Sequence, residues 1–244
     1  MSETPLNPAD LRDQAVGLRL HGLLAHWSEV MADADAARRI AQWLRWETDE
    51  RGRRSLERRL REAHIGQFKP VADFDWSWPK RIDRAAIEEL MTLQFMTDAT
   101  NVVLVGGTGC GKTWLACALA QQAARQGFSV LYTRATRLLQ ELQVAHGDGS
   151  FARRLAQLAR LDVLVLDDLA IAPIAAQERQ DLLELLDDRV GNRSTLITSQ
   201  LPSSAWHAWL AEPTIADAIM DRLLHGSHTI ALKGESLRRA KPQA

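Results

Sequence analysis

The chain has 244 residues, 46% of them hydrophobic and 25% charged, with a formal net charge of −1. That composition fits one or two globular domains and excludes a wholly disordered, collagen-like or coiled-coil-only chain. No run approaches the roughly 18 apolar residues of a membrane helix, the acidic start lacks the apolar core of a secretory signal, and Cys110 and Cys117 are too few for a disulfide framework or a four-ligand zinc site, so the cytoplasm is the expected compartment.

In chain order, Pro8 to about Met31 reads as a first helix, with Leu11, Ala15, Leu18, Leu24, Trp27 and Met31 near helical spacing and Gly17 and Gly22 weakening it. A second helix is expected from about Asp35 to Ala63, with apolar residues Ile40, Trp43, Leu44, Leu56 and Leu60 and a polar middle from Glu47 to Arg54. Residues 1–66 thus form a small helical N-terminal domain, for DNA or partner interaction. Residues 67–82 read as a linker carrying Phe68, Phe74, Trp76 and Trp78, and residues 67–244 as the larger domain. Asp83 to Met96 returns to helical spacing. Beyond it, the apolar runs Val102–Val105, Val130–Tyr132, Val163–Leu166, Thr195–Thr198 and Thr229–Leu232 alternate with helical segments. Continuous apolar strands alternating with helices predict a parallel sheet covered on both faces, an α/β fold. His146–Ser150 reads as a turn or loop.

The near-neutral total hides basic stretches. Residues 38–69 carry nine Arg and one Lys against five acids, and residues 233–244 carry Lys233, Arg238, Arg239 and Lys241 against Glu235. Such stretches can meet nucleic-acid phosphates, although Glu50/Arg54 and Glu57/Arg61 at i,i+4 also suit a solvated helix face.

Gly106-Gly107-Thr108-Gly109-Cys110-Gly111-Lys112-Thr113 matches G-x-x-x-x-G-K-[ST] between a predicted strand and a predicted helix. Its glycines let backbone N–H groups surround phosphate oxygens, and the helix that follows turns its positive end to the anion. Lys112 would reach the β- and γ-phosphates of ATP, and the Thr113 hydroxyl would ligate Mg²⁺. Trp114 follows at the start of that helix as a packing residue beside the nucleotide. Asp167 and Asp168 end an apolar run, where open parallel sheets bind ligands. Asp167 would hold Mg²⁺, and Asp168 would polarise the water that attacks the γ-phosphate, unless the two acids merely cap the next element. The polar groups of Thr198-Ser199-Gln200, after the fourth run, could orient that water or serve as turn polarity. Arg222 could neutralise charge on the transferring phosphoryl group or pair with Asp217 or Asp221 at a helix end. The seven histidines lack metal-site spacing and read as structural or surface residues.

The P-loop, VLVLDDL, TLITSQLPSSAWHAWL, DAIMDRLLHGSHTIAL and KGESLRR, with LRLHGLLAHW and FKPVADFDW before them, together resemble the IstB-like transposition helper ATPases. These are AAA+ proteins related to helicase loaders of the DnaC kind. The resemblance implies an AAA+ P-loop NTPase core behind a helical domain. It implies that Lys112 and Thr113 form the Walker A pair and Asp167 the Walker B Mg²⁺ ligand. Asp168 stands where many AAA+ proteins have a catalytic Glu, which implies slow hydrolysis. Ser199 and Gln200 fall in the sensor 1 region, Arg222 matches the arginine finger, and Arg238 matches the terminal arginine of a sensor 2 role. The implied activity is ATP hydrolysis by a homo-oligomer on double-stranded DNA that assists a cognate transposase. A helicase loader, a small-molecule kinase and a non-hydrolysing scaffold are the competing readings.

Overall fold

The computed structural model describes residues 7–66 and 84–232. The aromatic stretch 67–82 read as a linker lies outside the described residues, and so does Arg238. The chain divides into two compact units, Met1–Arg58 and Arg59–Ala244.

The first unit is helical. α1 (Pro8–Gly17) starts on Asn7, whose side chain accepts the Ala9 N–H at 3.1 Å, with Pro8 at the first turn. The expected single helix to Met31 is instead three. α1 stops at Gly17, and Arg19 takes a left-handed φ of 57°. α2 (His21–Ala25) and α3 (Trp27–Ala32) follow as short pieces. Two glycines within six residues cost helix propensity that apolar periodicity could not recover. α4 (Ala34–Glu62) matches the expected second helix and crosses the division between the units. Leu11, Ala15, Leu18, Ala41 and Leu44 make the small core of this unit. Trp43, expected on the apolar face, is exposed. The polar middle of α4 is held by i,i+3 and i,i+4 pairs, among them Arg51–Glu47, Arg53–Glu50 and Arg54–Glu50.

The second unit is a five-stranded parallel sheet ordered β2-β3-β4-β1-β5. Its strands are β1 (Val102–Gly106), β2 (Val130–Arg134), β3 (Val163–Leu169), β4 (Ser194–Ser199) and β5 (His228–Leu232). All five predicted apolar runs are strands. Successive side chains of β3 face opposite ways, and both sets are buried. Leu164 and Leu166 pack with Val103 and Ile197 against α8 (Ala135–Asp148), α9 (Phe151–Ala159), α10 (Ala176–Arg189), α11 (Trp206–Leu210) and α12 (Pro213–Leu224). Val163 and Val165 pack with Leu104 and Leu196 against α5 (Arg84–Met91), α6 (Gln94–Thr97) and α7 (Lys112–Arg125). This two-sided burial is why the strands read as continuous apolar runs.

Two local expectations change. The helix expected over Asp83–Met96 breaks at Leu93, which has φ 63° and leaves α5 and α6 as separate pieces. His146–Asp148 belong to α8, and the turn begins at left-handed Gly149. The His146 ring is stacked on Phe151 and bonded to Asp181 at 2.9 Å, which holds the end of α8.

Candidate functional site: the strand ends around the P-loop

The C-terminal ends of β1, β3 and β4 converge because β4 lies between β3 and β1. β1 delivers the glycine-rich loop. Gly109 and Gly111 have φ of 82° and 97°, a region that a side chain disfavours. At Gly106 a Cβ would stand 2.3 Å from the Leu232 carbonyl oxygen, so β5 closes on this position only because it is glycine. Lys112 opens α7 and is 5% exposed. Its Nζ donates to the carbonyls of Gly106 at 2.7 Å and Gly107 at 2.9 Å. A nearly buried ammonium whose short contacts are neutral carbonyls is suited to an anion. Thr108 donates its hydroxyl to Gln200 Oε1 at 2.7 Å, which ties the loop to the end of β4. Trp114 is half-buried against the core beneath α7.

Asp167 is 2% exposed, and three hydroxyls surround its carboxylate. Thr113 donates to Oδ1 at 3.0 Å and Thr198 to Oδ1 at 2.5 Å, while Tyr132 donates to Oδ2 at 2.6 Å. Burial first, and then the bond to Asp167, raises the Tyr132 phenol well above its usual range. Burial, with the charge of Asp167 second, pushes the Cys117 thiol up to about 12, so this cysteine is a packing group and not a nucleophile. A threonine hydroxyl beside a carboxylate is a donor set that suits Mg²⁺, with nucleotide oxygens and water completing the shell. Among the described residues no three His, Cys, Asp or Glu side chains gather as a metal cluster.

Asp168 is aimed by a kink that sequence periodicity could not reveal. The pairing of β3 with β4 slips between Leu166 and Leu169, and Asp168 has φ 55°. A bulge of this kind re-aims a side chain, so adjacent Asp167 and Asp168 need not point to opposite faces as strand neighbours would. The Asp168 N–H donates to Thr198 Oγ1 at 2.9 Å, so Thr198 links both acids. Asp168 lines a pocket of about 110 Å³ together with Thr136, Gln140 and Glu178.

Sequence reasoning grouped Ser199 with Gln200, and the structure separates them. Ser199 is fully buried; it donates to the Leu169 carbonyl at 2.8 Å and accepts from the Leu201 N–H and the Trp206 indole. That hydroxyl braces the turn after β4. Gln200 reaches the P-loop. Arg222 is paired with Asp187 of α10, not with Asp217 or Asp221, and also donates to the Ala218 carbonyl at 2.9 Å. Thr198 and Tyr132 were missed as partners of Asp167. The only signal for Tyr132 was its place at the end of a strand, which means little until β2 is known to adjoin β3.

The family model described as IstB-like ATP binding protein matches residues 13–244. An insertion sequence ATP-binding protein of Sinorhizobium fredii is 42% identical over 236 residues, 93% of this chain and 95% of the relative. The insertion sequence IS1162 ATP-binding protein of Pseudomonas fluorescens is 46% identical over 171 residues, 70% of this chain and 72% of the relative. Among solved structures, DnaI matches with a TM-score of 0.59 at 22% identity, covering 72% of this chain and 94% of its own. The DnaC helicase loader matches with a TM-score of 0.55 at 21% identity, covering 72% and 99%. These likenesses establish the fold as an AAA+ P-loop core. From residue 13 to its end, the chain belongs to the IstB-like family of insertion sequence ATP-binding proteins.

Proposed function

We propose that this chain is a Mg²⁺-dependent AAA+ ATPase that assembles with copies of itself on double-stranded DNA and assists the transposase of its insertion sequence. The observation that carries the reading is the Thr113 hydroxyl bonded to buried Asp167 beside Lys112 at the mouth of the glycine loop. In this reading the backbone N–H groups from Gly106 to Thr113 cradle the phosphates, with Trp114 packing behind them. Lys112 binds the β- and γ-oxygens. Thr113 and Asp167 hold Mg²⁺, which when bound neutralises charge on the β- and γ-phosphates. Asp168 orients the attacking water. Gln200, bonded to Thr108 of the loop, helps to orient that water, and Ser199 braces the turn that carries it. Arg222 of one copy completes the site of its neighbour, and Arg238 contributes near the nucleotide. The Met1–Arg58 unit and the basic stretches meet DNA or the transposase, and the protein works in the cytoplasm.

Family membership supports ATP use, and the relatives' names support the link to insertion sequences. A helicase loader shares the fold and would answer to single-stranded DNA. The test is ATP hydrolysis with duplex DNA, single-stranded DNA or no DNA. Stimulation by duplex DNA is the expected result. Stimulation by single-stranded DNA alone would favour the loader, and turnover only with a small acceptor would favour a kinase.

A further inference from the structure

The half-buried hydroxyl of Tyr132 has no place in the reading above. This residue is the only tyrosine of the chain. It lies on β2, an edge strand, with β3 and β4 between it and β1. Its phenol donates to Asp167 Oδ2 at 2.6 Å, the shortest contact which that oxygen makes. Its backbone is fixed as well: the Tyr132 N–H donates to the Ala63 carbonyl at 2.8 Å. The ring packs half-buried against the core under α7.

The four short contacts of the carboxylate divide unequally. Oδ1 accepts from Thr113 at 3.0 Å and Thr198 at 2.5 Å. Oδ2 accepts from Tyr132 and, at 3.3 Å, from Thr113. Without the phenol, Oδ2 keeps only the weak contact, and the carboxylate is fixed at Oδ1 alone, with its second oxygen less closely held. A carboxylate pre-set at one angle loses no rotational freedom when it meets a hydrated cation. Partners of ligating groups commonly contribute 10- to 100-fold in metal affinity. We propose that Tyr132 is a positioning residue for Mg²⁺: it fixes the Asp167 carboxylate from outside the P-loop and thereby sets how much Mg²⁺ the nucleotide site requires. The inference rests on the reading of Thr113 and Asp167 as the metal site. It extends that site to β2, which lies outside the glycine loop.

Tyr132→Phe removes one oxygen and keeps the ring. A fluorescent ATP analogue is titrated into wild type and variant in EDTA, and again across a Mg²⁺ series, with melting followed in EDTA. The expected result is metal-free affinity within twofold of wild type and a half-saturating Mg²⁺ concentration raised about tenfold. A merely structural phenol would lower the melting temperature and leave the Mg²⁺ midpoint where it is, which overturns the proposal. Wild-type binding that gains nothing from Mg²⁺ would overturn the metal-site reading itself, and this inference with it. A second readout needs no variant. Protein labelled with ¹³Cζ-tyrosine gives one signal, which should shift when Mg²⁺ is added to the ATP-bound protein. A signal that stays fixed contradicts the proposal.

Discussion

Two buried charges stand at opposite ends of the sheet and are held in different ways. Asp167, at the C-terminal end of β3, is 2% exposed, and Arg189, beside the first residues of β4, is 1% exposed. The side chain of Asp167 is met by three hydroxyls. Arg189 donates to the carbonyls of Leu158, Leu161 and Ser194 and to the Thr195 hydroxyl, at 2.5 to 3.1 Å. Burial, with help from Arg193, pushes its guanidinium down to about 10, so it remains charged at neutral pH. Hydroxyls rotate and can turn their lone pairs to an incoming cation. Carbonyls of a helix end and a strand start are fixed, and they take up the donors of Arg189. Equal burial therefore yields a site at one end and a rivet at the other.

The comparison is broken most severely at the site end. Arg222→Ala should lose about 10³-fold in ATP turnover and Lys112→Ala should lose productive ATP binding, yet a mixture of the two should partly recover, because some interfaces pair an intact loop with an intact arginine. Hydrolysis measured across mixing ratios, with folding checked by circular dichroism, decides it; no recovery at any ratio contradicts a shared site. Asp168→Asn should keep ATP binding and lower turnover by about 10²-fold or more. Asn is the proper replacement because it tolerates the left-handed φ of 55° better than Ala does. Equal turnover in that variant would remove Asp168 from water positioning.

The rivet end should behave in the opposite way. Arg189→Met leaves several buried carbonyls without a donor and should cost about 3 kcal/mol of stability. The denaturant midpoint reads the loss, while nucleotide affinity per folded molecule should stay within twofold. A large drop in affinity at unchanged stability would erase the distinction between the two ends.

Much of this was legible in the residues. Apolar runs marked all five strands, most plainly the inner ones, since a strand covered on both faces must be apolar throughout. The glycine loop announced itself because backbone contact with phosphate demands glycine at fixed spacing. Helix breaks were less visible: Leu93 and Arg19 adopt positive φ without any glycine at those positions. The strand order was invisible, and with it went Tyr132 and Thr198, which reach Asp167 only because β2 and β4 flank β3. The bulge at Asp168 has no period-two signature. Arg222 found Asp187 across 35 residues of sequence, where local spacing had offered nearer acids.

The smallest expected effects belong to the basic stretches. DNA affinity should fall steeply as salt rises, since phosphate contacts release counterions. Arg53 and Arg54 are already engaged with Glu50 and Glu57 on the surface of α4. Such exposed pairs stabilise little, so reversing Arg53, Arg54 and Arg58 should weaken DNA binding without unfolding the unit. Unchanged DNA affinity in that variant would move the contact surface to the Arg59–Ala244 unit.

ATP-driven assembly of this chain on duplex DNA is the central step of the proposed activity. The most direct measurement is the mass of the protein–DNA complex by analytical ultracentrifugation, with ATP or ADP and Mg²⁺ present. The expected result is a multi-subunit complex with ATP that shrinks with ADP and does not form with Lys112→Ala. The same mass with either nucleotide, or an assembly by Lys112→Ala equal to wild type, would contradict it.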